Sequence, residues 1–276
     1  MTSNGKFSLY HKNVILTGAS GGLGREMTLR LTGKYQCRVL GVGRSEEKLQ
    51  ALAAALGERA DQFEYRVCDV SRPEDWRALA AYVKSGSFPA DVLINNAGIL
   101  PPFARFGNYT AEEIEAAIRT NWGAVLYSMQ EFVPLFDKMP RTAIINIATS
   151  DALCPLAGTS LYSAGKAAVC ALSEAMREEY RGKIYLPAVC PGFIRTYIMK
   201  HQRRAVSPLV NWVSMPAPKA ARIILRRVNA GRSRIVVGAD AHLMSAAYRL
   251  APVLSLRFFR WFFQASGLEL FQDIYE

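Results

Sequence analysis

The stretch "NVILTGASGGLGREM" occupies residues 13–27. It opens with a short apolar run, passes through glycines at 18, 22 and 24, and continues into a helical pattern. An apolar run of this length that ends in turn residues reads as a strand covered on both faces. Glycine lacks a Cβ, so the backbone can turn sharply and approach a pyrophosphate closely. The helix that follows presents its unpaired N–H groups to such an anion. The stretch therefore predicts a strand, a phosphate-binding turn and a helix in direct succession.

The same alternation continues along the chain. "RVLGVG" (38–43), "FEYRVCD" (63–69), "DVLINNAG" (91–98), "TAIINIA" (142–148), "KIYLPAVCPG" (183–192) and "RIVVGAD" (234–240) read as further strands. Helical patterns fill 24–35, 45–57, 72–86 and 110–136, and another helix carries Tyr162. Ser45 before Glu46 and Glu47, and Thr110 before Glu112 and Glu113, mark helix starts. Alternating strands and helices predict an α/β fold with a doubly wound parallel sheet of about seven strands. Ligands of such sheets bind at the carboxyl ends of the strands. The expected organisation is one domain over 1–240 and a C-terminal amphipathic helical extension over 241–276.

A second stretch, "TSLYSAGKAAV" (159–169), places Tyr162 four residues before Lys166. Residues i and i+4 of a helix share one face. A phenol has an ordinary pKa of about 10. An ammonium about 4 Å away, at an effective dielectric of about 20, is worth roughly 4 kcal/mol, or about three pKa units. The pair is thus a candidate acid/base device near neutral pH. At the end of the second strand stand Arg44 and Ser45, where a ribose-binding acid is usual in NAD sites; arginine instead suits a 2′-phosphate. NADP(H) is therefore expected ahead of NAD(H).

Taken together, these motifs make the chain resemble the short-chain dehydrogenase/reductase family over roughly residues 10–240, with its Rossmann-type fold. The pattern TGxxxGxG matches Thr17, Gly18, Gly22 and Gly24, with Ser20 and Leu23 inside the loop. "NNAG" matches Asn95, Asn96, Ala97 and Gly98, and "CDV" brings Asp69 and Val70 to the place of an adenine-contacting turn. "PGFIRT" supplies Pro191, Gly192, Ile194 and Thr196 beside the nicotinamide. The resemblance implies that Tyr162 is the acid/base, that Lys166 lowers its pKa and holds the nicotinamide ribose, and that Asn121 in "RTNWGA" holds a water. The family's serine, 13 residues before the tyrosine, is replaced by Thr149, with Ser150 one residue further on. Either hydroxyl can donate to a developing oxyanion, and Thr149 holds the matching position. The implied reaction is hydride transfer between NADP(H) and a carbonyl or secondary alcohol. Reduction is the expected direction if the NADP pool is mostly reduced. A competing reading is a catalytically idle NADPH-binding sensor or scaffold recruited through a basic tail. The resemblance also implies a homodimer or homotetramer.

Other features bound partners and place. The N-terminus lacks a secretory pattern. Five scattered cysteines without CxxC suggest buried, reduced thiols in a cytoplasmic protein. Three isolated histidines give no metal-ligating pattern, and no metal is expected. The net charge is +11, and residues 195–260 hold thirteen Lys and Arg against one acid, Asp240. No nucleic-acid motif accompanies that charge, so nucleic acid is not the expected partner. Residues 197–216 take the place of the family's substrate lid. Tyr197, Ile198, Met199, Val206, Leu209, Val210, Trp212, Val213 and Met215 suit a bulky apolar, lipid-like or polycyclic substrate, or else a core or subunit contact. Lys200, Arg203 and Arg204 suit an acidic substrate group or a solvated surface. Within "LMSAAYRLAPVLSLRFFRWFFQASG" (243–267), arginines 249, 257 and 260 interrupt a run long enough to span a bilayer. Arg257, Arg260 and Gln264 share one helical face; Phe258, Trp261, Phe262 and Ala265 share another. That helix suits an anionic membrane surface at the inner face, or packing against a subunit or the domain itself.

Overall fold

The computed structural model describes residues 7–196, 202, 214–266 and 274. Its main sheet is built from β1 (Asn13–Thr17), β2 (Arg38–Gly43), β3 (Phe63–Val67), β4 (Val92–Asn95), β5 (Thr142–Ile147), β6 (Ile184–Tyr185), β7 (Ala188–Pro191) and β10 (Arg234–Val237). The spatial order is β10-β7-β5-β4-β1-β2-β3, with β6 paired to β5, and every pairing is parallel. Two short strands, β8 (Ile194–Arg195) and β9 (Met215–Pro216), pair separately.

Alternate residues of the central strands face opposite sides, and both sides are apolar. Ile15, Leu93 and Ile144 enter one core with α3 (Pro73–Lys84), α5 (Ala124–Phe136) and α6 (Ser160–Glu179). Val14, Leu16, Val92, Ile94, Ala143 and Ile145 enter the other, with α1 (Gly22–Gly33), α2 (Glu46–Leu56) and α7 (Ala217–Asn229). This two-sided burial is why the strands read as continuous apolar runs. All five cysteines are buried and free, as their scatter suggested.

The helix starts follow the expected chemistry. Ser45 accepts the Lys48 N–H, and Thr110 forms a capping box with Glu113 at the start of α4 (Ala111–Ala117). Two expected elements differ. The single strand over 183–192 is broken into β6 and β7 around Pro187, which has no N–H to give a ladder. The long helix over 110–136 is interrupted by a π-turn, Ile118–Gly123, that contains Asn121. Such single turns inside helices often mark functional sites. Beyond β10 come α8 (Ala239–Leu250) and α9 (Pro252–Ala265).

The strand order reverses between β1 and β4. Their carboxyl ends lie level, with Leu16 opposite Ile94, and a crevice opens there.

Candidate active site

The crevice is a cavity of about 610 Å³ that spans the carboxyl ends of β1, β2, β4, β5 and β7. At one end, the turn after β1 folds on itself. Gly18 has φ +65°, and a Cβ at Gly24 would run into the Gly18 carbonyl oxygen, so the first helical turn can lie against the loop only as glycine. Asn96 ties the two sides of the crevice together: its Nδ2 donates to Thr17 O at 2.9 Å. The Thr17 hydroxyl oxygen accepts the N–H groups of Asn96 and Ala97, each at 3.0 Å. Below them, Asn95 donates to Ser128 Oγ and Asn146 Oδ1, both at 2.8 Å, and Asn146 donates to Ser173 Oγ at 2.8 Å. This buried amide chain locks β4, β5, α5 and α6 in register at the site.

Of the residues expected to hold a cofactor, Gly18, Gly22, Leu23, Gly24, Arg44, Asn96, Ala97, Gly98, Pro191, Gly192, Ile194 and Thr196 line the cavity. Ser20, Ser45, Asp69 and Val70 are not brought to its lining. Ser45 is spent on capping α2. The Asp69 carboxylate accepts both the N–H and the hydroxyl of Ser71, at 3.0 and 2.8 Å. Burial works to raise its pKa, but the two Ser71 hydrogen bonds, with Arg44 and Arg72, hold it below the usual value. Val70 is buried, and its carbonyl accepts from Trp76 Nε1 at 2.9 Å.

The reacting end is assembled by α6 and the turn after β5. Tyr162, Lys166, Thr149 and Ser150 all face the cavity. Lys166 is buried, its Nζ donates to Ile147 O at 2.9 Å, and burial lowers its pKa to about 8. Gly98 faces it: a Cβ there would stand 3.4 Å from Lys166 Nζ and 3.1 Å from Asn121 Oδ1. Asn121 is outside the lining. Its carboxamide clamps the Ile99 backbone, accepting N–H at 2.9 Å and donating to the carbonyl at 2.8 Å. Thr149 Oγ accepts the Asp151 N–H at 3.3 Å, which leaves its own proton for another acceptor.

The expected lowering of the phenol by Lys166 is not what this arrangement does. Tyr162 keeps an edge open to the cavity, yet burial dominates and raises its pKa. The Asp151 charge adds to the rise, and a hydrogen bond with Thr149 opposes it. The correction has a physical reason: the Lys166 ammonium is directed to the Ile147 carbonyl.

Asp151 itself was not anticipated. It is buried on the cavity wall, where Ser150 Oγ donates to its Oδ1 at 3.4 Å. Burial raises its pKa to about 6. Leu100, Pro101, Phe103 and Phe193 were also missed as lining. The apolar run directly after "NNAG" was the signal for the first three. Phe193 is held by Asp240, whose Oδ2 accepts its N–H at 2.7 Å. The same carboxylate occupies the space a Cβ on Gly192 would need. Among the lid residues, Tyr197, Ile198, Met199, Val206, Leu209, Val210, Trp212 and Val213, with Lys200, Arg203 and Arg204, lie outside the described residues. Met215 is described and pairs with Ile194.

A family model described as short chain dehydrogenase matches residues 12–207. The chain belongs to the short-chain dehydrogenase family. It is on that ground an oxidoreductase of this family. It is 30% identical over 262 residues to the ketoacyl reductase HetN of Nostoc sp., over 92% of this chain and 90% of that protein. It is 32% identical over 195 residues to the farnesol dehydrogenase of Aedes aegypti, over 68% of this chain and 79% of that protein. The structure of a short-chain dehydrogenase from Sphingobium yanoikuyae in complex with NADPH matches with a TM-score of 0.74 at 28% identity, over 90% of this chain and 95% of that one.

Proposed function

We propose that the protein is an NADPH-dependent oxidoreductase acting on the carbonyl or secondary alcohol of an apolar substrate, with Tyr162 as its acid/base. One observation carries the reading: Tyr162, Thr149 and Lys166 share a cavity with the glycine turn and Arg44. The residues fit a dinucleotide. Gly18, Gly22 and Gly24 clear space for a pyrophosphate at the start of α1, and Arg44 stands at the end of β2 for a 2′-phosphate. Glu46 and Glu47 are drawn into the first turn of α2. The NADPH complex of the Sphingobium yanoikuyae relative supports the same choice of cofactor. The nicotinamide, when bound, supplies or takes the hydride.

The proton is handled by the chain. A largely enclosed phenol near Asp151 stays protonated at neutral pH, which is the state needed to donate to a carbonyl oxygen as negative charge grows there. Thr149 donates a second hydrogen bond to the same oxygen. Thr149 is preferred to Ser150 for this role because the Ser150 hydroxyl gives its proton to Asp151, at 3.4 Å. Lys166, with a pKa near 8, is placed to return a proton to the phenolate and to hold a ribose hydroxyl. Asn121 shapes its surroundings through Ile99. Leu100, Pro101, Phe103 and Phe193 favour a substrate with an apolar body.

The test is NADPH oxidation by the pure protein across ketones of increasing apolar size, with Tyr162→Phe as control. The expected result is a kcat/KM that rises with apolar size and collapses in the variant. Retention of most of the wild-type kcat by Tyr162→Phe would sink the assignment. Tight NADPH binding without turnover of any ketone would favour the idle sensor.

A further inference from the structure

The helix α9 shows an apolar face to the outside. Its buried residues are Ser255 and Phe259, and Phe259 packs with Cys154, Leu156 and Met244. Leu256 and Phe263 lie along the same packed stripe. The opposite side carries Leu254, Phe258, Trp261 and Phe262, which are 68%, 51%, 62% and 49% exposed. These positions are spaced i, i+4, i+7 and i+8, so they form one continuous strip. The aromatic rings in it lie against one another: Phe258 is 6.0 Å from Trp261 in a tilted arrangement and 6.2 Å from Phe262 in a stacked one, centroid to centroid. Single exposed apolar residues are ordinary; a contiguous aromatic strip marks an interaction surface.

Charge decides what fits it. Arg257 is exposed and borders the strip on one side, and Arg249 lies one helix earlier. No acid occurs in the sequence between Asp240 and Glu269. A second copy docked through this face about a two-fold axis would bring arginine toward arginine. An anionic lipid surface meets both properties. Its acyl boundary accepts the rings, and its headgroups accept the guanidinium group of Arg257 at their edge. Among the described residues no helix is long and apolar enough to cross a membrane, so the fitting mode is to lie in the interface.

We propose that α9 docks the protein onto an anionic lipid bilayer. The inference goes beyond the redox reading and does not need it. It has a consequence for the cavity, because Phe193, which packs against the cluster that contains Phe259, also lines the cavity wall. The docking helix and the cavity wall therefore share one packed cluster, and a bilayer-dissolved ketone would meet the protein on that side.

The experiment is flotation of the full chain with vesicles of phosphatidylcholine, alone or mixed with phosphatidylglycerol, at low and high salt. Binding is expected to the mixed vesicles at low salt and to fall with salt. The Phe258→Ser/Trp261→Ser variant and the Arg249→Glu/Arg257→Glu variant should each bind about tenfold more weakly or worse. Brominated lipid should quench wild-type fluorescence, and Trp261→Phe should float normally but lose that quenching. Retained NADPH binding by each variant shows that it is folded, and this readout is independent of turnover. Failure of the wild type to float with mixed vesicles overturns the proposal. So does a wild-type oligomer that the Phe258→Ser/Trp261→Ser variant splits without any flotation, since the strip is then a subunit interface.

Discussion

At the nucleotide end of the cavity the backbone sets the shape: Gly18 holds a positive φ, Gly24 lies against a carbonyl, and the Thr17 and Asn96 side chains serve main-chain groups. At the reacting end, side chains set it: Tyr162, Thr149 and Asp151 crowd together from α6 and one short turn, and both Asp151 and Thr149 act on the ionisation of Tyr162. The first kind of construction depends on local geometry and leaves a mark at fixed spacing. The second depends on which loops the fold brings together. The two ends should therefore fail differently when altered.

The sharpest separation comes from Tyr162→Phe. Removing a positioned acid/base costs about 10²–10⁴-fold in kcat. Cofactor binding should persist, measured by NADPH fluorescence titration, because the glycine turn is untouched. Gly24→Ala should do the reverse and remove NADPH binding itself, since the added methyl meets the Gly18 backbone. Gly107→Ala, with open space around it, is the matched control and should leave binding unchanged. If Gly24→Ala bound NADPH normally, the contrast between the two ends would be broken.

Asp151→Asn probes the electrostatics of the reacting end. Burial raises this carboxyl from 3.8 to about 6 in the folded state, so folding favours its protonated form. Its stabilising contribution is full below pH 4 and is lost as pH rises through about 6. A neutral Asn escapes that loss. The variant should gain on the order of 3 kcal/mol over wild type at pH 8 and little or nothing at pH 4, read from Tm at the two values. With the charge gone, the Tyr162 phenol loses one of the causes that raise it. The acid limb of the oxidation pH profile should then move to lower pH. An unchanged profile would show that Asp151 acts on stability alone.

Much of this was legible in the sequence, for reasons that differ by region. The βα alternation could be read because the central strands are buried on both faces, and the glycine turn because only glycine fits it. The break at Pro187 was present in the letters but hidden by the apolar run on either side. The π-turn at Asn121 had no local signal; it is visible only once Ile99 is across from it. Asp151 was passed over because one acid in a loop says nothing until the fold buries it. The sequence also showed two faces on α9 without saying which packs inward. The structure buries Phe259 and leaves Phe258, Trp261 and Phe262 outside.

Arg44 lies where the two kinds of construction meet, a side chain at the backbone-defined end. Arg44→Ala should weaken NADPH by about 10–100-fold, the range expected for losing hydrogen bonds to a charged phosphate. NADH, which lacks the 2′-phosphate, should be little affected. Equal weakening of both cofactors would mean that Arg44 supports the loop rather than reading the phosphate.

The smallest effect on the folded enzyme is expected at the exposed strip of α9, and a neighbouring buried residue makes the test internal. Phe259→Ala empties a packed site between α9 and the turn containing Cys154 and Leu156, which should cost about 3 kcal/mol. Phe258→Ser and Trp261→Ser remove rings that are half or more exposed and whose ring contacts are within α9, so together they should change stability by no more than about 0.5 kcal/mol. Turnover of a small water-soluble ketone should be equally unmoved, because neither ring lines the cavity. A large loss of stability from the two exposed positions would mean that the strip is covered within the folded protein, by a second copy or by part of this chain. Near-neutral behaviour in solution, combined with lost flotation, would instead assign these rings to the lipid surface.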